Sequence, residues 1–308
     1  MNTTAMGLEP VPPFRLDPTV WTLRRRPDNC IDRWDGETYR RVLLSERGEP
    51  FEVAVKQDGP PTSPHLRITV KGSTSDAINR QAKDAVSHAL GIHTDLAPFY
   101  RLAKKDQRLN PLAKQFKGVK PPRLHSPYES LINAIACQQL TLTMGIRLLN
   151  SLVQRYAPAL PLDDGTFHAF PRPQDLASAD IEELRSMKFS YQKARYIIGL
   201  SRAIVEGRLD LNAIGKLDDK KAVEQLRTIK GIGRWTAEYF LLRGIGRTHI
   251  FPGDDVGARN HLERWLGKHE KMNYDDVQHS LYVWRAYGGL IYFHLLLKSL
   301  VEKSVIAN

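Results

Sequence analysis

The hydrophobic period of this 308-residue chain changes once, near Ser126, and that change limits the fold more than any other feature. Before it, the β-branched or alternating runs Tyr39–Ser45, Phe51–Lys56 and Leu66–Lys71 are separated by the turn sequences Arg47-Gly48-Glu49-Pro50 and Asp58-Gly59-Pro60-Pro61. A period of two with such punctuation predicts three antiparallel strands. Ser73 or Ser75 then offers an N-cap for a helix from Asp76 to Leu90. Its apolar face of Ile78, Ala82, Ala85, Val86 and Ala89 would cover the sheet. Beyond Ser126 the period is helical: Tyr128–Tyr156 with a break near Gln138–Met144, then Gln174–Met187, Tyr191–Glu206, Asp218–Ile229, Arg234–Gly244, Val256–Leu266 and Asp275–Leu300. Short turns containing Gly or Pro join these segments, as in a compact bundle. The expected fold class is α+β: an N-terminal antiparallel sheet with a helix over residues 1–96, followed by a mostly α-helical two-part core over residues 97–308.

Charge narrows the partners. With 45 Lys and Arg against 34 Asp and Glu, the net charge of +11 favours a polyanion. The densest basic stretch, Arg101 to Arg123, carries Arg101, Lys104, Lys105, Arg108, Lys114, Lys117, Lys120 and Arg123 with only Asp106 as counter-charge. It reads either as a phosphate-facing strip or as a solvated connector. Two cysteines, Cys30 and Cys137, are too few for a disulfide framework or a four-cysteine metal site, and fit a reducing cytosol. The longest apolar stretch, Gly289 to Leu297, falls far short of the roughly 20 residues of a membrane span and reads as a buried helix. No secretory signal is visible, and the pairs His88/His93 and His261/His269 lack the spacing of helical metal ligands.

The most informative segment is Leu226-Arg-Thr-Ile-Lys-Gly-Ile-Gly-Arg-Trp-Thr-Ala-Glu-Tyr-Phe-Leu-Leu242. One amphipathic helix ends at Ile229, Gly231 and Gly233 permit a tight reversal, and a second helix begins at Arg234 or Trp235. With no side chains at the two glycines, backbone N–H groups of this helix-hairpin-helix can approach a DNA phosphate without reading sequence. A dinucleotide-binding loop is disfavoured, because no strand precedes the hairpin and Thr236 replaces the third glycine. A purely structural turn is the simpler alternative. A few residues beyond the second helix, Ile250-Phe-Pro-Gly-Asp-Asp-Val-Gly-Ala-Arg259 sets two carboxylates between a Pro-Gly turn and a helix start, where an isolated Asp would serve only as an N-cap.

Together, the hairpin, the Gly/Pro-rich loop and an Asp heading a helix closely resemble the signature of the helix-hairpin-helix DNA glycosylase superfamily, and most closely its 3-methyladenine DNA glycosylase II family. The segments Ser126–Leu142, Phe170–Asp180 and Ser190–Tyr196 are similar to that family's as well. The resemblance is specific from about residue 97 to 300 and weaker before. It implies a monofunctional glycosylase that flips alkylated purines such as 3-methyladenine out of DNA and hydrolyses the N-glycosidic bond.

The resemblance puts the catalytic carboxylate at Asp255, with Asp254 as a cap or solvated neighbour. One carboxylate can suffice, because it stabilises the oxocarbenium character of the sugar, and alkylated purines already leave as cations. Base-pocket aromatics are implied at Trp235, Tyr239 and Phe293, and DNA contacts at Gly231, Ile232, Gly233, Arg234, Thr236, Gln138 and Gln139. Gln139 takes the position of the wedge that fills the hole left by the flipped base, where other relatives carry Leu. Trp235 stands where bifunctional relatives carry a nucleophilic Lys, so hydrolysis without strand cleavage is implied. No cofactor is required, although the backbone carbonyls of Arg227, Ile229 and Ile232 are positions where some relatives hold a monovalent cation. The implied partner is double-stranded DNA containing damaged bases. The protein is expected to be a monomer without membrane association, in the cytoplasm or nucleoid of a bacterium or the nucleus of a eukaryote. Two alternatives stand beside this reading: a glycosylase for oxidised or deaminated bases, and a non-enzymatic helix-hairpin-helix DNA-binding protein. Asp255 speaks against the latter, since a carboxylate near phosphates would repel the ligand.

Overall fold

A computed structural model describes residues 2–72 and 75–307. Strands β1 (Asn2–Leu8), β2 (Arg33–Trp34), β3 (Thr38–Leu44), β4 (Pro50–Asp58) and β5 (His65–Gly72) form one antiparallel sheet in the order β1-β5-β4-β3-β2. The three expected strands are its centre. In β5 the alternation is clean, with Leu66, Ile68 and Val70 buried between exposed His65 and Arg67. The helix Asp76–Leu90 covers one face through Ile78, Ala82, Val86 and Leu90. Its N-cap is Ser75, whose side chain accepts from the Ile78 N–H at 3.2 Å; the alternative cap, Ser73, lies outside the described residues. On the other face, a hairpin of β6 (Ala159–Leu162) and β7 (Gly165–His168) brings Leu160 against Val42.

The sequence reading missed the helix Leu16–Arg24, which packs Leu16, Val20 and Leu23 into the sheet's core. Both of its usual end signals are absent: Arg15 supplies no side-chain cap, and the left-handed residue after it is Arg25 rather than glycine.

The helical residues build two further cores. Pro127–Cys137, Leu142–Tyr156, Tyr191–Val205 and the hairpin helices surround one. Ala97–Lys104, Leu109–Gln115, Val256–Leu266, Tyr274–Leu281 and Gly288–Glu302 surround the other. The expected helix Asp275–Leu300 is interrupted by a 3-10 stretch, Tyr282–Tyr287, and Arg234–Gly244 widens into a π-helix from Phe240 to Ile245. The basic stretch 101–123 is a packed connector rather than a uniform charged strip: Leu109, Leu112 and Phe116 are buried, and Lys120 Nζ donates to the Thr94 carbonyl at 2.6 Å. Burial pushes the Lys120 ammonium down to about 8.

Packing crosses residue 96 in several places. The buried Arg41 pairs with Asp32 at 2.8 Å and with Glu129 of the helical part at 2.6 Å. Arg243, also buried, donates through Nη2 to the carbonyls of Thr22 and Leu23 at 3.0 and 3.2 Å, placing a cation at the C-terminal end of the first helix.

Candidate active site

The hairpin joins the helices Asp219–Arg227 and Arg234–Tyr239. Gly231 is required twice over: its φ is +91°, and a Cβ there would stand 2.3 Å from the Tyr196 ring. Gly233, the N-cap residue, has ordinary φ, and a Cβ would meet nothing within 4 Å. Folding therefore does not demand glycine at 233, and open space lies in front of it.

The side chains of several residues expected to contact DNA have partners within the protein. Thr236 is buried, and its Oγ1 accepts from Gln138 Nε2 at 3.0 Å; the same Nε2 donates to the Gly231 carbonyl at 2.9 Å. Gln138 thus fastens the loop after Pro127–Cys137 to the hairpin. Lys193 secures that loop from below, donating through Nζ to the carbonyls of Ala136 and Gln138 at 2.9 and 2.7 Å. Arg234 forms a two-pronged ion pair with Asp254, at 2.7 and 3.0 Å, and its guanidinium lies 3.5 Å from the centre of the Tyr274 ring. Ile232 is buried. Gln139 is exposed in a left-handed conformation, φ +54°, and turns the chain so that Leu140 stands 42% exposed. Of the backbone carbonyls considered for a cation, that of Ile229 accepts from the Ile232 N–H at 3.0 Å, which leaves a second lone pair available. Among the described residues no cluster of three or more His, Cys, Asp or Glu could hold a metal ion.

Beyond the hairpin, the loop 246–255 crosses from one helical core to the other and delivers the Asp pair. Asp254 is not a cap: its carboxylate, 33% exposed, is the ion-pair partner of Arg234. The cap is Asp255 itself: its Oδ1 accepts from the Ala258 N–H at 2.9 Å, at the start of Val256–Leu266. Its Oδ2 accepts from Trp235 Nε1 at 3.2 Å and from the Tyr292 hydroxyl at 3.3 Å. One carboxylate oxygen thus caps the helix, and the other is turned toward the aromatic residues. Burial, and next the facing Asp255 carboxylate, hold the Tyr292 hydroxyl well above the usual phenol range, so it stays a donor.

Two connected hollows meet at Asp255. An outer groove of about 760 Å³ runs past Gln138, Gln139, Tyr196 and Gly231. An inner cavity of about 270 Å³ lies behind it, lined by Tyr239, Tyr292, Arg25 and His261. Trp235, Leu140 and Asp255 line both. The inner cavity is just under the range of about 300–1,000 Å³ typical of small-molecule pockets, a scale that suits one flat heterocycle. His261 is pushed down to about 4, by burial first and then by Arg264 and Lys303, so it is a neutral imidazole at pH 7.

Trp235 and Tyr239 are at the cavity, their ring centres 5.6 Å apart, but Phe293 is not: it is buried in the second helical core, 5.4 Å from the Arg243 guanidinium, while its neighbour Tyr292 faces the cavity. In a helix buried on all sides, such as Gly288–Glu302, period alone does not tell which of two adjacent aromatics points to a void. Sequence reasoning also missed Arg25, for which no local signal existed, and Lys303, an exposed residue at the cavity's edge. It missed Glu238 too. This buried carboxylate accepts from the Tyr274 hydroxyl at 2.5 Å and from the Gly253 N–H at 3.2 Å, bracing the loop that carries Asp255. Burial pushes it up to about 7.

A helix-hairpin-helix facing an open groove, followed by a loop that sets one carboxylate against a partly open cavity lined by aromatic rings, defines a base excision DNA repair enzyme. Accordingly, residues 132–286 match the family described as HhH-GPD superfamily base excision DNA repair protein, and the chain belongs to that superfamily. It is 27% identical over 292 residues to the putative DNA-3-methyladenine glycosylase YfjP of Bacillus subtilis, covering 89% of this chain and 96% of that one. To a second Bacillus subtilis protein, named DNA-3-methyladenine glycosylase, it is 28% identical, covering 66% of this chain and 67% of the relative. Among solved structures, a 3-methyladenine DNA-glycosylase from Archaeoglobus fulgidus superposes with a TM-score of 0.82 at 22% identity, covering 98% and 100% of the two chains, and shares the fold.

Proposed function

We propose that this protein is a monofunctional DNA glycosylase that takes a damaged purine, alkylated purines such as 3-methyladenine among them, into the inner cavity and hydrolyses its N-glycosidic bond. The observation that carries the reading is the position of Asp255, at the junction of groove and cavity and held by three donors. A duplex lying along the groove meets the backbone at Gly231 and Gly233, where the second glycine leaves space in front of it. With the base in the inner cavity, the sugar comes to the mouth beside Asp255. The C1′–N bond breaks with its electron pair going to the base, and the carboxylate offsets the charge developing on the sugar. A water oxygen then bonds to C1′, giving its proton to Asp255 and onward to solvent.

Leu140, exposed and lining both hollows, is better suited than Gln139 to fill the space left by the flipped base, because an apolar side chain loses nothing by entering the base stack. Hydrolysis without strand cleavage is favoured because Trp235 occupies the hairpin position beside Asp255, Lys230 is exposed within the turn and Lys193 is bound to two carbonyls. A monovalent cation bound through the carbonyls of Arg227, Ile229 and Ile232 would brace the turn without taking part in the chemistry. Release of free base from duplexes carrying 3-methyladenine or 7-methylguanine tests the reading, with borohydride added during turnover. Free base, an alkali-labile abasic product and no covalent adduct are expected; an efficient adduct dependent on Asp255 would overturn the monofunctional part and direct attention to Lys303.

A further inference from the structure

We propose that Tyr274 is a positioning residue for excision: with Glu238 and Arg234 it closes a ring of contacts around Gly253 and Asp254 that fixes where the Asp255 carboxylate stands. This rests on the proposed glycosylase reading. Residues Pro252 to Asp255 form a turn closed by the Asp255 N–H, which donates to the Pro252 carbonyl at 2.9 Å. The ring grips both central residues of that turn. The Gly253 N–H donates to Glu238 at 3.2 Å, and the other Glu238 oxygen accepts from the Tyr274 hydroxyl at 2.5 Å. The Asp254 carboxylate takes both prongs of Arg234, whose guanidinium lies over the Tyr274 ring, 3.5 Å from its centre. Tyr274 thus serves both halves of the ring, one through its hydroxyl and the other through its face. Its edge closes the remaining space: a Cβ on Gly253 would stand 2.7 Å from Tyr274 Cδ2.

The bonds to Asp255 Oδ2 are long, 3.2 Å from Trp235 and 3.3 Å from Tyr292, so the turn beneath it carries much of the task of holding the carboxylate in place. Position matters on this scale, since a displacement of about 1 Å caused far from the chemistry can cost about a hundredfold in rate. Tyr274 and Glu238 line neither the outer groove nor the inner cavity; they face a separate hollow of about 620 Å³, together with His249, Gln278 and Arg285. Their influence on excision therefore passes through the turn rather than through DNA or base. The ring also joins the two helical cores. Glu238 follows Ala237 of the first core, and Tyr274 opens the helix Tyr274–Leu281, whose Val277 and Leu281 are buried in the second. A capping box fixes that helix start: the Asn273 side chain accepts from the Asp276 N–H at 3.0 Å, and the Asp276 carboxylate accepts from the Asn273 N–H at 2.9 Å. The turn that bears Asp255 is thereby registered against both cores at once.

The test follows base release from duplexes carrying 3-methyladenine or 7-methylguanine under single turnover, with enzyme in excess, for the wild-type protein, Tyr274→Phe, Glu238→Gln and Glu238→Leu. The rate at saturating enzyme reports the placement of the carboxylate, whereas misfolded protein raises only the enzyme concentration needed to reach half of that rate. Tyr274→Phe keeps the ring beneath Arg234 and against Gly253 and removes the hydroxyl. Its saturating rate should fall at least about fivefold, with affinity for undamaged duplex, read by fluorescence anisotropy, within about twofold of wild type. Glu238→Leu removes the acceptor of both bonds and should fall at least as far. Glu238→Gln still offers an oxygen to the Gly253 N–H and an amide to the Tyr274 oxygen, so it should keep most of the rate that Glu238→Leu loses. A loss of rate in Tyr274→Phe matched by an equal loss of duplex affinity overturns the proposal, as do equal losses in the two Glu238 variants, which would tie the effect to charge and not to the ring. The Tyr274→Phe arm decides even if Glu238→Leu does not fold. Release by the wild type at a saturating rate that Tyr274→Phe leaves unchanged sinks the proposal alone. No release of either base by the wild type sinks the alkylpurine reading and this proposal with it.

Discussion

At the hairpin, the named side chains spend their polar groups inside the protein: Gln138 on Gly231 and Thr236, Arg234 on Asp254. Behind the inner cavity, the buried Arg25 keeps one unpartnered nitrogen and Arg243, fully enclosed in the packing beside Tyr239, keeps two. The two regions meet at Asp255, yet one is polished of loose donors and the other retains them. The hairpin therefore has backbone and empty space to offer, which suits a ligand recognised by repeat and charge. The cavity has aromatic walls at Trp235, Tyr239 and Tyr292 and one oriented carboxylate, which suit a ligand recognised by shape and stacking.

The sharpest break in that comparison comes from the junction itself. Asp255→Asn should keep the affinity for duplex and lower the single-turnover excision rate at least about a hundredfold, on the scale of removing one preorganised electrostatic group. Asp254→Asn, which frees Arg234, should cost less than about tenfold. The reverse order, read in the same assay, would exchange their roles. Next in size are the two glycines. Gly231→Val should destabilise the fold by about 2 kcal/mol or more in denaturant titration, through its φ and the Tyr196 ring. Gly233→Ala should cost less than about 1 kcal/mol of stability yet weaken binding to undamaged duplex of any sequence, read by fluorescence anisotropy. Equal stability losses at both would mean that Gly233 too is structural. That binding should also fall steeply with salt, because phosphate contacts release counterions.

A smaller effect probes the brace behind the loop. Glu238 is raised in the folded state from 4.5 to about 7, so the folded protein binds its proton more tightly than the unfolded chain does. The sign follows: this contribution is fully present below about pH 4.5 and is lost as pH rises through about 7. Glu238→Gln removes it, so the melting temperature of the variant should gain on that of the wild type between pH 5 and pH 8. A constant difference over that range would show that Glu238 is charged throughout.

How much of this could be read beforehand depends on whether the signal is local. The hairpin was legible because Gly231, its helix ends and the Asp255 cap leave marks within a few residues, and β3, β4 and β5 because alternation survives wherever one face is buried. The helix Leu16–Arg24 was not, because its ends are fixed by tertiary contacts, the last of them to Arg243, more than two hundred residues away in the chain. The β6–β7 hairpin is four residues on each side, too short for a period to register. Inside the site, the ion pair of Asp254 left no local mark because its partner Arg234 is twenty residues distant, and Phe293 was misplaced because its neighbour is aromatic too. Arg25 carries no motif at all; only the folded arrangement brings it to the inner cavity.

The bond from Arg243 to the end of Leu16–Arg24 has a practical corollary for modularity. Although the superfamily match begins at residue 132, one wall residue of the chamber behind Asp255, Arg25, comes from the N-terminal segment. A fragment cut at residue 97 would retain hairpin and carboxylate but lose Arg25, and it would turn the Arg243 guanidinium toward solvent. The N-terminal segment is in this sense a keystone of the catalytic half rather than an appendage to it, and grafting this hairpin core onto another sheet would have to supply a replacement for both arginine contacts.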